Sequence, residues 1–240
     1  MKLIDAFWEK RNLGVKSCHE LIIEKSDSLN SVKSQLLLLN SEYVVVKVPD
    51  GRIELSFLLT ELGYSFIENL IHFTYNPKIH KSIIQRILED INYVKMDEAD
   101  IDYLFCEIRK NIFSTDRVFL DPYFSSEQAS NRYIGWIKDE LTKSCDIYKL
   151  VLQNKDVGFF TFKDLGEGRY FPFLIGIYSN FLNRALGRCL IYSIIQETIK
   201  RNGKIISTYS SSNNIRAVRC YSSLKFNISG MQYVYVKHNK

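Results

Sequence analysis

Apolar and polar positions along this chain follow two periods, and the switches between them divide it into elements. Loose alternation with a Leu21-Ile22-Ile23 run marks a strand over 15–24. A helix over 29–39 follows, with Asp27 or Ser28 placed to cap it. The β-branched segment 43–48 reads as a strand closed by the turn Pro49-Asp50-Gly51. A helix over 52–62 is stopped by Gly63, and a strand covers 65–73. From Asn76-Pro77 to Glu89 the pattern weakens to a turn and one short helix over 83–88, which makes 77–90 the expected boundary. Beyond it, Ile101, Leu104, Phe105 and Ile108 share one face of a helix over 97–111. Tyr133, Ile134, Trp136, Ile137 and Leu141 recur within a helix over 125–142. Strands over 146–153, 157–163 and 169–178 form a meander, with turns at Asn154-Lys155-Asp156 and Gly166-Glu167-Gly168.

The last third alternates the two periods. An apolar strand leads into the loop Arg184-Ala185-Leu186-Gly187-Arg188-Cys189, an amphipathic helix, and a strand over 204–210. A short helix headed by Asn213-Asn214 ends at Leu224-Lys225-Phe226, and Met231, Tyr233 and Tyr235 then share one face of a strand over 230–237. The second half thus reads α-α-β-β-β-α-β-α-β, a mixed sheet flanked by helices. The first half repeats part of this order, with Leu62-Gly63-Tyr64 where the second has Leu224-Lys225-Phe226. It has no glycine loop before its first helix, and Leu59 stands at the position of Tyr221.

Composition narrows the class. At 46% apolar and 25% charged residues, the 240-residue chain is an ordinary globular protein with room for a sizeable core. The net charge of +5 suits an anionic ligand, but it is spread along the chain, and no Lys/Arg block argues for nucleic acid. Five cysteines without a C-x-x-C pair point to reduced thiols in the cytoplasm, not to a disulfide framework or a zinc site; no metal is expected. The first nine residues carry acidic and aromatic side chains in place of a long apolar core, and no window is long and apolar enough for a membrane span, so neither a secretory signal nor membrane insertion is expected.

A strand feeding a loop with one glycine and then a helix is a phosphate cradle in outline, because the first N–H groups of a helix are unpaired and partly positive. Arg184 to Cys189 resembles the Gln/Arg-x-x-Gly-x-Gly/Ala loop of the GNAT family of acetyl-CoA-dependent N-acetyltransferases, departing from it at Cys189. Asn214, Ala217 and Tyr221 fall at the spacing of that family's Asn-x-x-Ala-x-x-x-Tyr helix, and Leu224-Lys225-Phe226 stands for its Leu-Gly-Phe. With Arg117, Asp121-Pro122, Arg132-Tyr133 and Trp136 added, the chain looks like the TDP-fucosamine acetyltransferase branch. The resemblance implies an α/β (mixed α+β) GNAT fold with a splayed mixed sheet over 91–240, preceded by a truncated GNAT-like module over 1–76. It also implies acetyl-CoA as cofactor, with CoA as product. The implied acceptor is the amino group of a dTDP-linked 4-amino-4,6-dideoxyhexose used in surface polysaccharide assembly. A second copy of the chain in a homodimer is the other expected partner.

Under that resemblance the main chain of Ile175, Gly176 and Ile177 binds pantetheine, and Arg184, Ala185, Leu186, Gly187, Arg188 and Cys189 hold the pyrophosphate. Asn214 also contacts pantetheine, and Tyr221 donates a proton to the departing thiolate. Each has a blander role open to it: solvated charge for Arg184 and Arg188, a small buried thiol for Cys189, an N-cap for Asn214 (Asn213 competing), a core ring for Tyr221. Tyr133, Trp136 and Tyr170 are candidates to line the acceptor cleft, with Arg132 or Arg169 meeting a diphosphate, and a core role is the alternative for these aromatics. Strand 169–178 has no carboxylate, so a water relay or no dedicated base is expected. His19, His72, His80 and His238 read as structural or exposed. Two other functions stay open: a GNAT acting on a different amine, such as a protein N-terminus or small metabolite, and an inactive GNAT-like binding module.

Overall fold

The computed structural model describes residues 1–77 and 91–239; the helix expected over 83–88, His80 and most of the expected linker lie outside the described residues. The first half comprises β1 (Lys2–Asp5), α1 (Phe7–Leu13), β2 (Cys18–Ile22), α2 (Leu29–Leu38), β3 (Tyr43–Pro49), α3 (Ile53–Glu61) and β4 (Ser65–Tyr75). The second comprises β5 (Ile91–Lys95), α4 (Glu98–Ile108), α5 (Arg117–Leu120), α6 (Ser126–Leu141), β6 (Asp146–Leu152), β7 (Lys155–Asp164), β8 (Arg169–Phe171), β9 (Ile175–Ile177), α7 (Leu186–Lys200), β10 (Ile205–Ser211), α8 (Ile215–Ser223) and β11 (Asn227–His238). Their boundaries follow local chemistry. Ser28 accepts from the Ser31 N–H and starts α2, while Asp27, the other candidate cap, holds the N-terminal ammonium. Ser125 and Gln128 form a reciprocal capping box at α6, as do Asp97 and Asp100 at α4.

The strands of the described residues join one 11-stranded sheet in the order β1-β2-β3-β11-β4-β10-β8-β7-β6-β5, with β9 pairing β7 to one side. It is mixed: β2–β3 and β8–β10 are parallel, the remaining pairs antiparallel. The order interleaves the two halves of the chain. The last strand, β11, lies between β3 and β4 of the first half, and β4 lies between β11 and β10 of the second. Each half supplies a strand–helix–strand unit to this region, β3-α3-β4 and β10-α8-β11. Both helices end in the same turn. Gly63 (φ +80°) and Lys225 (φ +63°) are left-handed, and the following Tyr64 and Phe226 donate back to the Leu59 and Tyr221 carbonyls at 2.9 and 3.1 Å.

The apolar positions sort the helices onto two faces. Val44, Val46, Val48, Phe73 and Ile206 point toward α2, α3, α7 and α8, while Tyr43, Val45 and Val234 pack with Val118 and Ala129 of α5 and α6. Leu104, Ile108, Ile134 and Ile137 close α4 and α6 over Phe159 and Tyr178.

Four elements carried too little pattern to be anticipated: β1, α1, β5 and α5 are four to seven residues long. Two expectations change. The first hairpin of the meander turns one residue early, on the left-handed pair Gln153-Asn154. The strand expected over 169–178 is two short strands, β8 and β9, parted around Pro172. That break positions the site.

Candidate active site

β8 pairs with β10 for only two residues, Arg169 opposite Ile205 and Tyr170 opposite Ile206. Pro172 has no N–H to continue the ladder, and its carbonyl accepts from the Thr208 hydroxyl at 2.9 Å in place of a backbone donor. Beyond this pivot β9 leaves β10 and pairs only with β7. Leu174 O accepts from the Thr161 N–H and the Tyr178 N–H donates to Val157 O, both at 2.9 Å, so these residues turn their main chain toward β7. Strand alternation then turns the main-chain groups of Ile175 and Ile177 toward the gap. Gly176 allows the tight approach beneath: a Cβ there would stand 2.8 Å from the Phe159 ring. The gap opens into a cavity of about 1860 Å³ that reaches both faces of the sheet.

α7 points its N-terminus into this cavity, where Ala185, Leu186, Gly187 and Arg188 are part of the lining. Asn183 (φ +64°) and Ala185 (φ +59°) are both left-handed, and the N-cap Ala185 makes no side-chain cap bond. No acidic residue occupies the first turn, so the dipole end of this 15-residue helix is left for an outside anion. Arg184 lies over the Phe181 ring at 5.4 Å and, like Arg188, is exposed. Arg216 and Arg219 of α8 join them on the cavity wall; their spacing of three on a helix facing the cradle was the signal that could have found them. Gly187 is packed closely against α8. A Cβ there would meet Cys220 Sγ at 3.2 Å, so its smallness serves the packing of α7 on α8. Cys189 is the fourth residue of α7, buried and absent from the cavity wall, and burial pushes its thiol up from the ordinary value.

Asn214 caps α8, its Oδ1 accepting from the Ala217 N–H at 3.1 Å, and also lines the cavity. The structural and binding roles weighed for it are therefore compatible. Seven residues on, Tyr221 faces the same space, 4% exposed, stacked on Phe73 at 4.7 Å with Phe226 edge-on at 5.1 Å. Burial raises its pKa, with hydrogen bonding to Thr208 the smaller, opposing influence, so the phenol stays protonated across the neutral range.

The opposite end of the cavity lies against α1, α5 and α6. Arg132 lines it, but its guanidinium is committed: Nε donates to both Glu9 oxygens at 2.9 and 2.8 Å, and Nη1 stands 3.5 Å from Asp116. Arg117 holds the other side of Glu9. Burial alone would raise the Glu9 pKa; Arg132 and Arg117 outweigh it and hold it down at about 2. Tyr133 packs on Phe113 at 4.4 Å and Trp136 on Phe173 at 4.8 Å, and both reach the cavity. Tyr170 and Arg169 do not. They belong to the closed part of the sheet, where Tyr170 turns into the core to stack on Phe162 at 4.6 Å and the 52%-exposed Arg169 side chain points to Glu167. Glu68 on β4 also lines this end; sequence reasoning, confined to strand 169–178, passed it over. It is 4% exposed and its Oε2 has no hydrogen-bond partner among the described residues. Among the described residues no group of three or more His, Cys, Asp or Glu side chains is placed to hold a metal ion, and no helix is long and apolar enough to cross a membrane.

No protein-family model matches this chain, and no curated protein matches it by sequence. Solved structures do. A conserved protein of unknown function from Staphylococcus epidermidis superposes with a TM-score of 0.63 at 13% identity, covering 97% of this chain and 89% of that one. A GCN5-related N-acetyltransferase from Sphaerobacter thermophilus gives 0.61 at 12% identity, with 88% of this chain spanning 65% of that one. The fold is that of the GCN5-related N-acetyltransferases. A tandem GNAT protein from the clavulanic acid biosynthesis pathway matches at 0.59 and 9% identity over 93% of this chain and 75% of its own. The mixed, splayed GNAT sheet expected from the sequence is thus borne out.

Proposed function

We propose that this protein transfers the acetyl group of acetyl-CoA to a small primary amine. One observation carries the reading: the two-residue closure of β8 on β10, followed by a gap that runs between the uncapped N-terminus of α7 and Tyr221. Diphosphate oxygens would meet the first N–H groups of α7, with Arg184, Arg188, Arg216 and Arg219 around them. The extended thioester tail would take the place of a strand beside Ile175 and Ile177, and Asn214 would contact it from α8. Tyr221 would give its proton to the leaving sulfur, since a phenol held protonated by burial is a donor at neutral pH. Alignment and main-chain donors supply the rest of the acceleration.

For the acceptor, the resemblance over 117–226 implies a nucleotide-activated amino-deoxysugar, dTDP-4-amino-4,6-dideoxyhexose, and the aromatic wall of Tyr133 and Trp136 suits a sugar or base ring. A second reading, a small-metabolite amine without a diphosphate, is favoured by the engagement of Arg132 with Glu9 and Asp116, which leaves that cation neutralised. The truncated module over 1–76 is read as the partner that completes the sheet of the transferase unit over 91–240, and assembly as a homodimer belongs to the same proposal.

Isothermal titration of the purified chain with acetyl-CoA tests the core of the reading. Saturable binding is expected, and no heat at a large excess of ligand overturns the acetyltransferase in favour of an inactive binding module. Thiol release with dTDP-linked amino sugars, set against simple primary amines, then separates the two acceptor readings.

A further inference from the structure

Glu68 is a buried carboxylate without an ion-pair partner among the described residues, on the wall of the same cavity as Tyr221 but on the other face of the sheet. The register fixes these faces. Thr208 lies opposite Phe73, on which Tyr221 stacks, so both belong to the α8 side. Ser211 lies opposite Leu70, an odd number of residues away from Phe73, and Glu68 is two residues from Leu70. Ser211 and Glu68 therefore share the α6 side. Ser211 hydrogen-bonds the Glu68 side chain and lowers its proton affinity. The second oxygen, Oε2, is buried and has no hydrogen-bond partner among the described residues. An orphaned buried carboxylate oxygen is costly to fold around, and the residue that carries it lines the cavity.

Resting on the acetyltransferase reading above, we infer that Glu68, supplied by the first half of the chain, takes the proton from the acceptor amine. The two ends of the reaction then lie on opposite faces of the gap. The amine approaches from the α6 side; as its nitrogen forms a bond to the acetyl carbon, its proton passes to the Glu68 carboxylate. The carbon–sulfur bond breaks toward the α8 side, where Tyr221 protonates the sulfur. After the amide and thiol leave, Glu68 returns one proton through solvent to the tyrosinate, so the step consumes and releases no net proton. The charges that face Glu68 are Arg117 of α5 and Arg132 of α6, both committed to Glu9 of α1, with Asp116 before α5; Glu20 of β2 is paired with Lys47 of β3 at 2.8 Å on the same wall. Burial is the largest influence on Glu68 and raises its pKa, ahead of the lowering by Ser211, Arg117 and Arg132. A raised carboxyl pKa suits a base working near neutrality. It also means that activity falls as the pH drops through a value above the usual carboxylate range of about 4.3.

The test compares the wild type with Glu68→Gln and Glu68→Asp. Acetyl-CoA affinity is read by titration calorimetry, thermal midpoint by calorimetry, and thiol release from pH 5 to 9 with dTDP-4-amino-4,6-dideoxygalactose and with benzylamine. Glu68→Gln is expected to keep acetyl-CoA affinity within about twofold, to keep or raise the midpoint, to lose about 10²–10³-fold in kcat/KM, and to lose the acid limb of the profile; Glu68→Asp is expected to recover part of the rate. Turnover of Glu68→Gln within about threefold of wild type, or a loss matched by lost acetyl-CoA affinity or a lowered midpoint, overturns the assignment. If neither amine reacts, the wild-type-minus-Glu68→Gln infrared spectrum decides it: a protonated carboxyl band that persists above the ordinary range supports the role, and ordinary titration overturns it. A wild type that does not bind acetyl-CoA instead sinks the acetyltransferase reading itself.

Discussion

Tyr221 and Lys225 sit four residues apart on either side of the end of α8, and each carries a different kind of constraint. Tyr221 is wedged between Phe73 and Phe226, so replacing its hydroxyl leaves the packing intact. Tyr221→Phe is expected to bind acetyl-CoA within about twofold of wild type and to lose about 10²–10³-fold in kcat, as removal of a proton donor does; unchanged turnover in a thiol-release assay would remove it from the chemistry. Lys225 holds φ at +63°, where a side chain is strained and glycine is not. Lys225→Gly, which restores the residue found at the equivalent turn of α3, is expected to stabilise the fold by about 0.5 kcal/mol, the strain relieved less the added freedom of the unfolded chain. The denaturant midpoint measures it. The Lys225 departure from Leu-Gly-Phe therefore leaves the turn itself in place.

At the scale of the element, the site is a strand that fails to continue. Pro172 ends the ladder between β8 and β10, and Thr208 satisfies its carbonyl while also contacting Tyr221. Thr208→Val keeps the shape but leaves a buried carbonyl without its donor. Unfolding free energy is expected to fall by about 1–3 kcal/mol, and acetyl-CoA affinity is expected to fall with it because the pivot of the gap loosens. Equal stability by chemical denaturation would show that the pivot is held by packing alone. The helix at the other end of the gap follows the same logic. α7 is preceded by two left-handed residues, Asn183 and Ala185, and has no side-chain cap, a local arrangement that costs stability unless something outside the chain occupies the helix terminus.

The whole molecule is tied together by exchange between its halves. β11 reaches between β3 and β4, and β4 reaches between β11 and β10, so neither half closes its own sheet. A single calorimetric unfolding transition is expected for this reason, and two resolved transitions would contradict it. The buried ion pairs run the same way, joining Glu9 of α1 to Arg117 and Arg132 from the second half. The folded-state pKa of Glu9, about 2, lies below the reference value of 4.5, so its stabilisation is complete above the reference and lost as pH falls toward 2. The linked free energy is about 3 kcal/mol. Glu9→Gln is expected to destabilise the protein by about 3–5 kcal/mol at neutral pH, since it strands two buried guanidinium groups, and to flatten the stability–pH curve between about pH 4.5 and 2; urea unfolding at several pH values reads both.

The sequence by itself determined what is local: helix faces such as Ile101–Leu104–Phe105–Ile108, a cap at Asp27 or Ser28 and another at Asn213 or Asn214, the glycine stop at Gly63, and the loop-and-helix spacing around Gly187 and Tyr221. These depend on neighbours within a few residues, and periodicity records them. The short elements β1, α1, β5 and α5 escaped because four to seven residues carry too little period to read. Pairing was decided by tertiary structure alone. Which strand lies beside which, where β8 leaves β10, that Arg132 is neutralised by Glu9 more than a hundred residues away, and that Glu68 faces the cavity of the second half all depend on contacts between distant segments. Such contacts leave no spacing in the chain, because a strand records which of its faces is buried and says nothing of its partner.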